Sequence, residues 1–300
     1  MARRMAALVA LVAVMTVVHL TIVRPWYLRW GAREVEIART LPGDELSPSA
    51  NSVATRAVTI DAPAPVVWAW IAQIGQQRSG FYSYRLLENI IGAEMPRVHQ
   101  LEPTLQTIST GDKVWMYPPD RLGGVGHAIA ARVEPERALV LATAPLGADP
   151  DEKTTGTWAF VLEPIDGAHT RLIVRSRSVD PASLGALAFV RLGLEPAHYV
   201  MERKMMTTLK ALAEGQNPPE LPDVVQAGLW LGLALLFVVA AVGVVVGYKW
   251  PELMVAAAAA ATAAAIATLV QPPVALTICL TAAALVQFAG GSRSPAAEWG

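Results

Sequence analysis

Long apolar runs at both ends of the chain limit what it can fold into. Residues 5–23 carry no charged side chain, and a helix of that length spans about 28 Å, close to the hydrocarbon thickness of a bilayer. Three further apolar stretches lie near the other end, at 225–247, 253–270 and 274–290. A soluble helical hairpin is the alternative for these, but no polar stripe runs along them. We therefore predict four transmembrane helices.

The N-terminal run has two interpretations. Arg3 and Arg4 precede it, as they would in a secretory signal peptide. However, the run is long for such a signal, and no A-x-A cleavage site follows. The next residues are RPWYLRW (24–30), whose aromatic side chains suit a membrane interface. Residues 1–24 are therefore predicted to form an uncleaved signal anchor, and a cleaved signal peptide is the alternative.

Charged residues concentrate between the apolar runs. Of 24 basic and 25 acidic residues, all but four and two lie within 24–224, which leaves 20 and 23 there and a net charge of −3. A near-neutral segment has no electrostatic footprint for nucleic acid. Counting basic residues near the membrane ends gives five on the side of this segment and four on the other. The positive-inside rule therefore favours a cytoplasmic middle domain, with both termini on the opposite face.

Cysteine and histidine usage excludes several kinds of site. Cys279 is the only cysteine, so the chain has neither an internal disulfide nor a thiolate-rich metal site. The five histidines form no H-E-x-x-H or H-x-x-x-H pair. No G-x-S-x-G motif occurs that would indicate a hydrolase. We expect no metal and no cofactor.

The middle of the chain reads as one folded domain between linkers. Pro, Gly, Ser and Asp are frequent in TLPGDELSPSANS, residues 40–52. The predicted organisation is a signal anchor (1–24), a juxtamembrane linker (25–52), a ligand-binding domain (53–215), a second linker (216–224), about three transmembrane helices (225–290) and a tail (291–300).

Hydrophobic periodicity within the domain predicts an α+β fold. A strand ends near Ile60, and Asp61 is well placed as the N-cap of a helix that Gly75 ends. A short helix near 83–91 follows. Five strands separated by turn residues come next, at 113–117, 127–133, 138–143, 155–164 and 170–179, before a helix at 194–215. Hairpin-linked strands favour an antiparallel sheet. A long helix across such a sheet leaves a gap that becomes a pocket.

Strand alternation assigns side chains to the two faces of the sheet. Trp158, Phe160 and Leu162 share one face. Three arginines alternate with apolar residues in the last strand, at positions 171, 175 and 177. Unpaired burial of arginine is costly, so we expect them on the outer face; the alternative is an anionic head-group clamp inside the cavity. On the last helix, Glu202 is expected to face away from the apolar side.

Four stretches carry a family resemblance: ATRAVTIDAPAPVVWAWIAQIG, GFYSYRLLENIIG, TWAFVLEPIDGAHTRLIVRSR and LEPAHYVMERKMM. In this order they resemble the SRPBCC superfamily of START and Bet v 1-type helix-grip proteins, and most of all its bacterial polyketide-cyclase-like members. The resemblance covers roughly residues 45–214. It implies a curved antiparallel sheet wrapped on a long C-terminal helix. It also implies a deep apolar cavity that binds lipids, sterols, polyketides or similar molecules.

Aromatic, methionine and histidine side chains are the predicted pocket residues: methionine adapts to an apolar ligand, and tyrosine combines an apolar ring with a polar tip that can hydrogen-bond at a rim. In the connection before the second helix, Phe81 is interpreted as packing, whereas its two tyrosines are interpreted as pocket residues. The predicted set is Tyr82, Tyr84, Trp115, Tyr117, His127, Trp158, Phe160, His198, Met201 and Met205.

Two functions from different classes follow from these observations. The first is a membrane-tethered domain, in an integral membrane protein, that binds a hydrophobic or lipid-like small molecule as a carrier or sensor. The alternative is a polyketide cyclase- or aromatase-like enzyme, with a tyrosine or His127 as proton donor. The first needs no covalent step, and its partners are the bilayer and the small molecule. The second requires two or more titratable groups to converge inside the cavity.

Overall fold

A computed structural model describes residues 1–145 and 147–292. Most of the predicted tail, including Arg293, lies outside these residues. The chain forms two compact units: Met1–Val23 with Pro219–Gly300, and Arg24–Pro218. The second unit begins at Arg24, so it includes the segment predicted as a juxtamembrane linker.

Ten α-helices and six strands occur in the described residues. The helices are α1 (Ala2–Val18), α2 (Arg24–Leu28), α3 (Glu34–Ala38), α4 (Ala64–Ala72), α5 (Arg85–Ile90), α6 (Leu184–Phe189), α7 (Glu195–Ala213), α8 (Leu221–Val246), α9 (Trp250–Ala265) and α10 (Val274–Ser292). The strands are β1 (Ser52–Ile60), β2 (Lys113–Trp115), β3 (His127–Glu134), β4 (Ala138–Thr143), β5 (Gly156–Pro164) and β6 (Thr170–Ser178). Wider helical turns at His19–Val23, Val190–Leu194 and Ile266–Val270 extend α1, α6 and α9.

Three helical stretches are long and apolar enough to cross a membrane, namely Ala2–Leu28, Leu221–Val246 and Trp250–Val270. The fourth predicted span corresponds to the apolar helix Val274–Gly290, which is shorter and reaches only about 25 Å at 1.5 Å per residue. Three of the four predicted spans therefore coincide with helices that are long and apolar enough to cross a membrane.

Small side chains let the helices of the first unit pack closely. Ala240 of α8 is buried against Ala256 and Ala257 of α9. At Gly243, an added Cβ would lie 2.4 Å from a methyl group of Leu253, so a larger residue there would require the Leu253 side chain to move. The many alanines of the predicted span at 253–270 thus give α9 a surface without large side chains, as is common where membrane helices pack.

One six-stranded sheet organises the second unit. Its strand order is β1-β6-β5-β4-β3-β2, and every neighbouring pair is antiparallel. The α+β prediction and the order of elements are confirmed. Strand bounds agree with the sequence prediction within two residues, the largest difference being β2, which ends at Trp115 instead of 117. The N-cap prediction was wrong: Pro63 caps α4, while the backbone N–H of Asp61 donates to Glu214.

The inner face of the sheet packs against α7. Phe160, Leu162 and Leu172 of the sheet belong to one buried cluster with Met205 and Leu209 of α7. The alternation predicted for β5 is confirmed, since Phe160 and Leu162 lie in this cluster while Ala159 and Val161 lie in another on the opposite face. Burial of this apolar surface is the main force that holds helix and sheet together.

The outer face of the sheet is covered by residues 31–46, which we name the outer strap. Leu41 of the strap packs with Val140 and Ile173 of the sheet. Two glycines allow the close approach. A Cβ at Gly31 (φ +71°) would lie 2.2 Å from the carbonyl oxygen of Ala57, and one at Gly43 (φ +94°) would lie 2.5 Å from Val140. Two glycines of the segment predicted as a linker therefore serve tight packing.

Paired arginines anchor the outer strap. Arg171 donates to both carboxylate oxygens of Glu36, at 2.8 and 2.9 Å. Arg175 donates to Asp44 at 2.7 Å and to the backbone carbonyl of Glu36 at 2.6 Å. The predicted outer-face placement of these two arginines is confirmed. They are nevertheless buried, because acidic partners on the strap compensate their charge. Arg177, at the end of β6, also contacts Asp44 of the strap and the backbone carbonyl of Ser47, although it borders the cavity described below as well.

Candidate functional site

A cavity of about 530 Å³ lies within the second unit. Strands β1, β5 and β6 contribute one part of its lining, α7 a second, and α5 with its flanking connections a third. Among the lining residues, Ile91, Leu194, Ala197 and His198 are exposed to solvent, which places the mouth beside them. A volume of this size is typical of small-molecule sites.

The cavity wall is largely aromatic and sulfur-containing. The ring of Phe81 stacks on that of Trp158, with centroids 5.7 Å apart and planes inclined by 26°. Phe81 therefore packs, as the sequence interpretation holds, but it also lines the cavity. Four methionines complete this apolar surface: Met95, Met116, Met201 and Met205. Methionine side chains adapt to ligands of different shape.

A buried carboxylate, that of Glu202 on α7, lies at the centre of the polar part of the lining. Arg56 of β1 donates to its Oε1 atom. On the other oxygen, Oε2, the indole N–H of Trp158 donates at 2.8 Å and Nε2 of His198 lies at 3.0 Å. Ser176 adds a longer bond of 3.4 Å. Since a carboxylate only accepts, Nε2 of His198 carries the proton.

The charges of Arg56 and Glu202 compensate each other. Both side chains are only 1% exposed. Burial alone would raise the pKa of the Glu202 carboxyl, but the charge of Arg56 and the hydrogen bond from His198 outweigh it and lower that pKa to about 2. The carboxyl is therefore ionised at neutral pH, and the cavity contains a buried ion pair with fixed donors.

Further contacts hold Arg56 in position. Its Nε atom donates to the backbone carbonyl of Tyr27 at 2.8 Å. Its guanidinium lies over the ring of Tyr199, 5.1 Å from the centroid, and that ring stacks on Tyr27 at 5.1 Å. Glu195, another lining residue, accepts from the Tyr27 hydroxyl at 2.7 Å and from Arg24 at 2.9 Å. Aromatic stacking and cation–π contact thus make the arginine a rigid part of the wall.

A second titratable pair lines the cavity at α5. Burial raises the pKa of the Glu88 carboxyl to about 7, so this acid changes charge near neutral pH. Burial and the neighbouring charge of Glu88 both raise the pKa of Tyr117. Among the described residues, no hydrogen bond or ion pair to the Glu88 carboxylate is present. This environment is that of a carboxyl able to exchange a proton with a bound molecule.

The structure brings together half of the predicted pocket residues. Those that line the cavity are Tyr117, Trp158, His198, Met201 and Met205. The other five lie elsewhere in the unit. Tyr82 donates to the backbone carbonyl of Trp70 in the interior, Tyr84 and Phe160 are buried, and Trp115 packs on His127 with ring centroids 4.7 Å apart.

Sequence reasoning missed most of the other lining residues, among them the titratable Arg56, Glu88 and Glu202. The expectation that Glu202 faces away from the apolar side of α7 was wrong, because Arg56 compensates its charge. Two signals in the sequence point to this pair. Arg56 alternates with Ala54 and Val58 on the inner face of β1, and Glu202 lies four residues after His198, on the same side of the helix. Glu88 has no such signal.

Comparison with known proteins gives matches among solved structures alone. No protein-family model and no curated protein matches the chain. Protein MLL2253 from Mesorhizobium loti is 18% identical over 55% of this chain and 99% of its own, with a TM-score of 0.29. Protein Ms6760 from Mycobacterium smegmatis is 18% identical over 54% of this chain and 91% of its own, with a TM-score of 0.30.

The third solved structure is the Polyketide_cyc-like protein Cgl2372 from Corynebacterium glutamicum. It is 15% identical over 54% of this chain and 88% of its own, with a TM-score of 0.26. These likenesses concern the fold alone.

Proposed function

We propose that the unit Arg24–Pro218 binds a hydrophobic or amphipathic small molecule in its cavity, as a carrier or sensor, while the apolar helices hold the chain in a membrane. One observation carries the proposal: an apolar cavity whose buried ion pair, Arg56 with Glu202, is already compensated. An apolar ligand can therefore enter without leaving a charge unpaired. Burying 200 Å² of its surface would contribute about 5 kcal/mol.

The surroundings of the mouth favour a ligand drawn from a lipid phase. Ile91 and Leu194 line the cavity and are exposed. Close to them in the chain, Ile90, Phe189 and Leu192 are also exposed, by 61%, 57% and 44%. Contiguous exposed apolar side chains are uncommon on a soluble surface and mark binding to lipid or to another apolar partner. A fatty-acid or acyl-lipid chain matches both this rim and the methionine-rich interior.

Photo-crosslinking in proteoliposomes tests ligand binding. The full-length protein is reconstituted with a diazirine-bearing fatty acid, and labelled peptides are located by mass spectrometry. We expect label on β5 and α7. Replacing Met201 with tryptophan fills the cavity and should reduce that label about tenfold, equivalent to 1.4 kcal/mol. Labelling of the membrane helices is the internal reference, and Leu101→Trp, at an exposed position outside the lining, is the control.

Label confined to the membrane helices would contradict the proposal. The same holds if Met201→Trp leaves the labelling of β5 and α7 unchanged while the protein remains folded.

We also propose a cytoplasmic location for the domain. Reporter fusions within the domain and at residue 300 test it together with the number of spans. If Val274–Gly290 crosses the bilayer, the C-terminus lies on the face away from the domain; if only the three longer helices cross, it lies on the same face. A domain reporter active in the periplasm would contradict the cytoplasmic assignment.

An enzyme of the cyclase or aromatase type is the second candidate, and a specific observation favours it. Glu88, with a pKa raised to about 7 by burial, shares the cavity with Tyr117, His198 and Glu202. Tyr82 and His127, which the sequence suggested as proton donors, do not line it, so Glu88 is the better general acid–base group. Glu88→Gln should then lower turnover of a poly-β-keto substrate by about 10²-fold or more while preserving fatty-acid labelling.

A further inference from the structure

We propose that His127, Asp149 and Asp151 bind one divalent transition-metal ion at a site separate from the cavity. His127 is the first residue of β3, and the two aspartates lie in the connection between β4 and β5. None of the three lines the cavity. One ligand atom from each lies within 4.8 Å of the other two.

The hydrogen bonding of His127 prepares one ring nitrogen for a cation. Its Nδ1 atom lies 3.1 Å from the backbone carbonyl oxygen of Gly124. A carbonyl only accepts, so Nδ1 carries the proton, and in the neutral ring Nε2 presents a lone pair. This is the arrangement of metal-binding histidines, in which a backbone acceptor fixes the tautomer.

That lone pair is buried and aimed at a carboxylate. His127 is 1% exposed, and its Nε2 atom has no hydrogen-bond partner among the described residues. The nearest carboxylate oxygen, Oδ1 of Asp151, lies 3.5 Å away. Two ligands of one tetrahedral zinc ion, each about 2.1 Å from it, are separated by about 3.4 Å. Two acceptors at this separation repel each other unless a proton or a cation lies between them.

The composition of the site selects the class of ion. One imidazole and two carboxylates suit zinc or manganese better than calcium or magnesium, which prefer oxygen ligands alone. Lys113 pairs with the other oxygen of Asp151, so with neutral His127 the four side chains sum to a charge of −1. A divalent ion would change the net charge of the group from −1 to +1. Without the carboxylate of Asp149, the positive charge remaining at the site would be larger.

The position of the site indicates a structural role. A bound ion would join the β4–β5 connection to β3 and, through Gly124, to the β2–β3 connection. The β4–β5 connection follows Thr143, and the β2–β3 connection contains Tyr117. Both of these residues line the cavity. We infer that the ion would hold two connections that adjoin the cavity wall without contacting the ligand.

Metal binding by the full-length protein in detergent tests the proposal directly. After chelator treatment and its removal, zinc is titrated calorimetrically, and cobalt is added as a spectroscopic substitute. We expect one zinc per chain and a visible absorption spectrum of cobalt coordinated by nitrogen and oxygen. His127→Asn and Asp149→Asn should each weaken zinc binding by at least about 100-fold. Losing a residue that only supports a metal ligand already weakens affinity by up to about 100-fold, and these variants change the ligands themselves.

The matched control is His169→Asn. His169 also pairs with an aspartate, its Nδ1 lying 2.8 Å from Asp166, but both side chains are about half exposed. This variant should bind zinc like the wild type. His127 is buried, so His127→Asn could also affect folding. Asp149 lies in a connection, so Asp149→Asn tests metal binding without a substitution in the interior. Absence of zinc binding in the wild type, as expected if His127 is a protonated partner of Asp151, would overturn the proposal. Equal binding by all variants would also overturn it.

Discussion

Arginine side chains are buried on both faces of the six-stranded sheet, but their surroundings differ. On the outer face, Arg175 is enclosed by the strap, whose Asp44 and backbone carbonyls accept its hydrogen bonds. On the inner face, Arg56 pairs with Glu202 beside a cavity of about 530 Å³. The outer pairs attach a segment of chain to the sheet. The inner pair has an open side where a ligand can be accommodated.

This difference indicates how a charge pair can be assigned a role. On the outer face, Arg171 and Arg175 donate to carboxylates and backbone carbonyls of the strap. On the inner face, Arg56 donates to Glu202 and to the backbone carbonyl of Tyr27. The other partners of Glu202 are side chains that also line the cavity, namely Trp158, Ser176 and His198. A molecule in the cavity would contact the inner group directly, whereas Arg171 and Arg175 do not line the cavity.

The largest effect is expected from breaking the inner pair. Arg56→Met leaves the Glu202 carboxylate buried without its charged partner, and the free energy of unfolding should fall by about 3–5 kcal/mol. Tryptophan fluorescence of the full-length protein during denaturant unfolding in detergent measures this.

The double variant Arg56→Met with Glu202→Met is the control. Because neither charge then remains buried, it should recover most of the lost stability. A double variant as unstable as the single one would show that packing, and not charge compensation, holds this region together.

Breaking an outer pair should cost less. Arg175→Met leaves several buried carbonyls without a donor, while Asp44 keeps Arg177 and the backbone N–H of Leu41, so we expect a loss of about 2–3 kcal/mol in the free energy of unfolding. Fatty-acid labelling of β5 and α7 should not change in the protein that remains folded. Loss of labelling comparable with that of Met201→Trp would remove the distinction between the two faces.

Periodicity and turn chemistry were sufficient to predict the strands and the antiparallel pairing of those joined by hairpins, but not the pairing of β1 with β6. The strands alternate apolar residues on the inner face, and Gly and Asp–Gly turns separate them, so their order and bounds follow from local patterns. The packing of the outer strap on the sheet could not be predicted. Its segment, with Gly31 and Gly43, was interpreted as a linker, because the contacts of these glycines with Ala57 and Val140 appear only in the structure. Local sequence does not encode which distant strand a glycine approaches.

The site was predictable only in its apolar part. Trp158, Met201 and Met205 follow from alternation and helical spacing. Arg56 and Glu202 are charged residues on inner faces, and each is tolerated only because the other is present, 146 residues away in sequence. Tyr82 and Tyr84 were expected in the lining but are buried outside it, since the direction of a side chain in an irregular connection has no sequence period.

The pH dependence of stability gives a further test of the difference between the two faces of the sheet. The carboxyl with the raised pKa, that of Glu88, lines the cavity. The pKa of Glu88 rises from 4.5 to about 7, so the folded protein retains a proton that the unfolded chain releases. This contribution is complete below pH 4.5 and is lost as the pH rises to about 7. For a partly buried carboxyl it should amount to about 1–2 kcal/mol.

Glu88→Gln should remove that dependence, whereas Glu94→Gln, at an exposed position, should preserve the wild-type profile. Denaturant unfolding at several pH values between 4.5 and 7.5 measures both. A wild-type profile in Glu88→Gln would mean that Glu88 is as hydrated in the folded protein as in the unfolded chain.

The smallest effect on stability is expected at His198, where function and stability separate most clearly. The side chain is 44% exposed, and Glu202 keeps Arg56 and Trp158 when the imidazole is removed, so His198→Ala should change the free energy of unfolding by less than about 1 kcal/mol. Its side chain nevertheless lies at the exposed mouth of the cavity, so fatty-acid labelling should fall several-fold and recover in part in His198→Gln, which keeps a donor to Glu202. A stability loss as large as that of Arg56→Met, with labelling unchanged, would make the inner cluster an attachment device like the outer one.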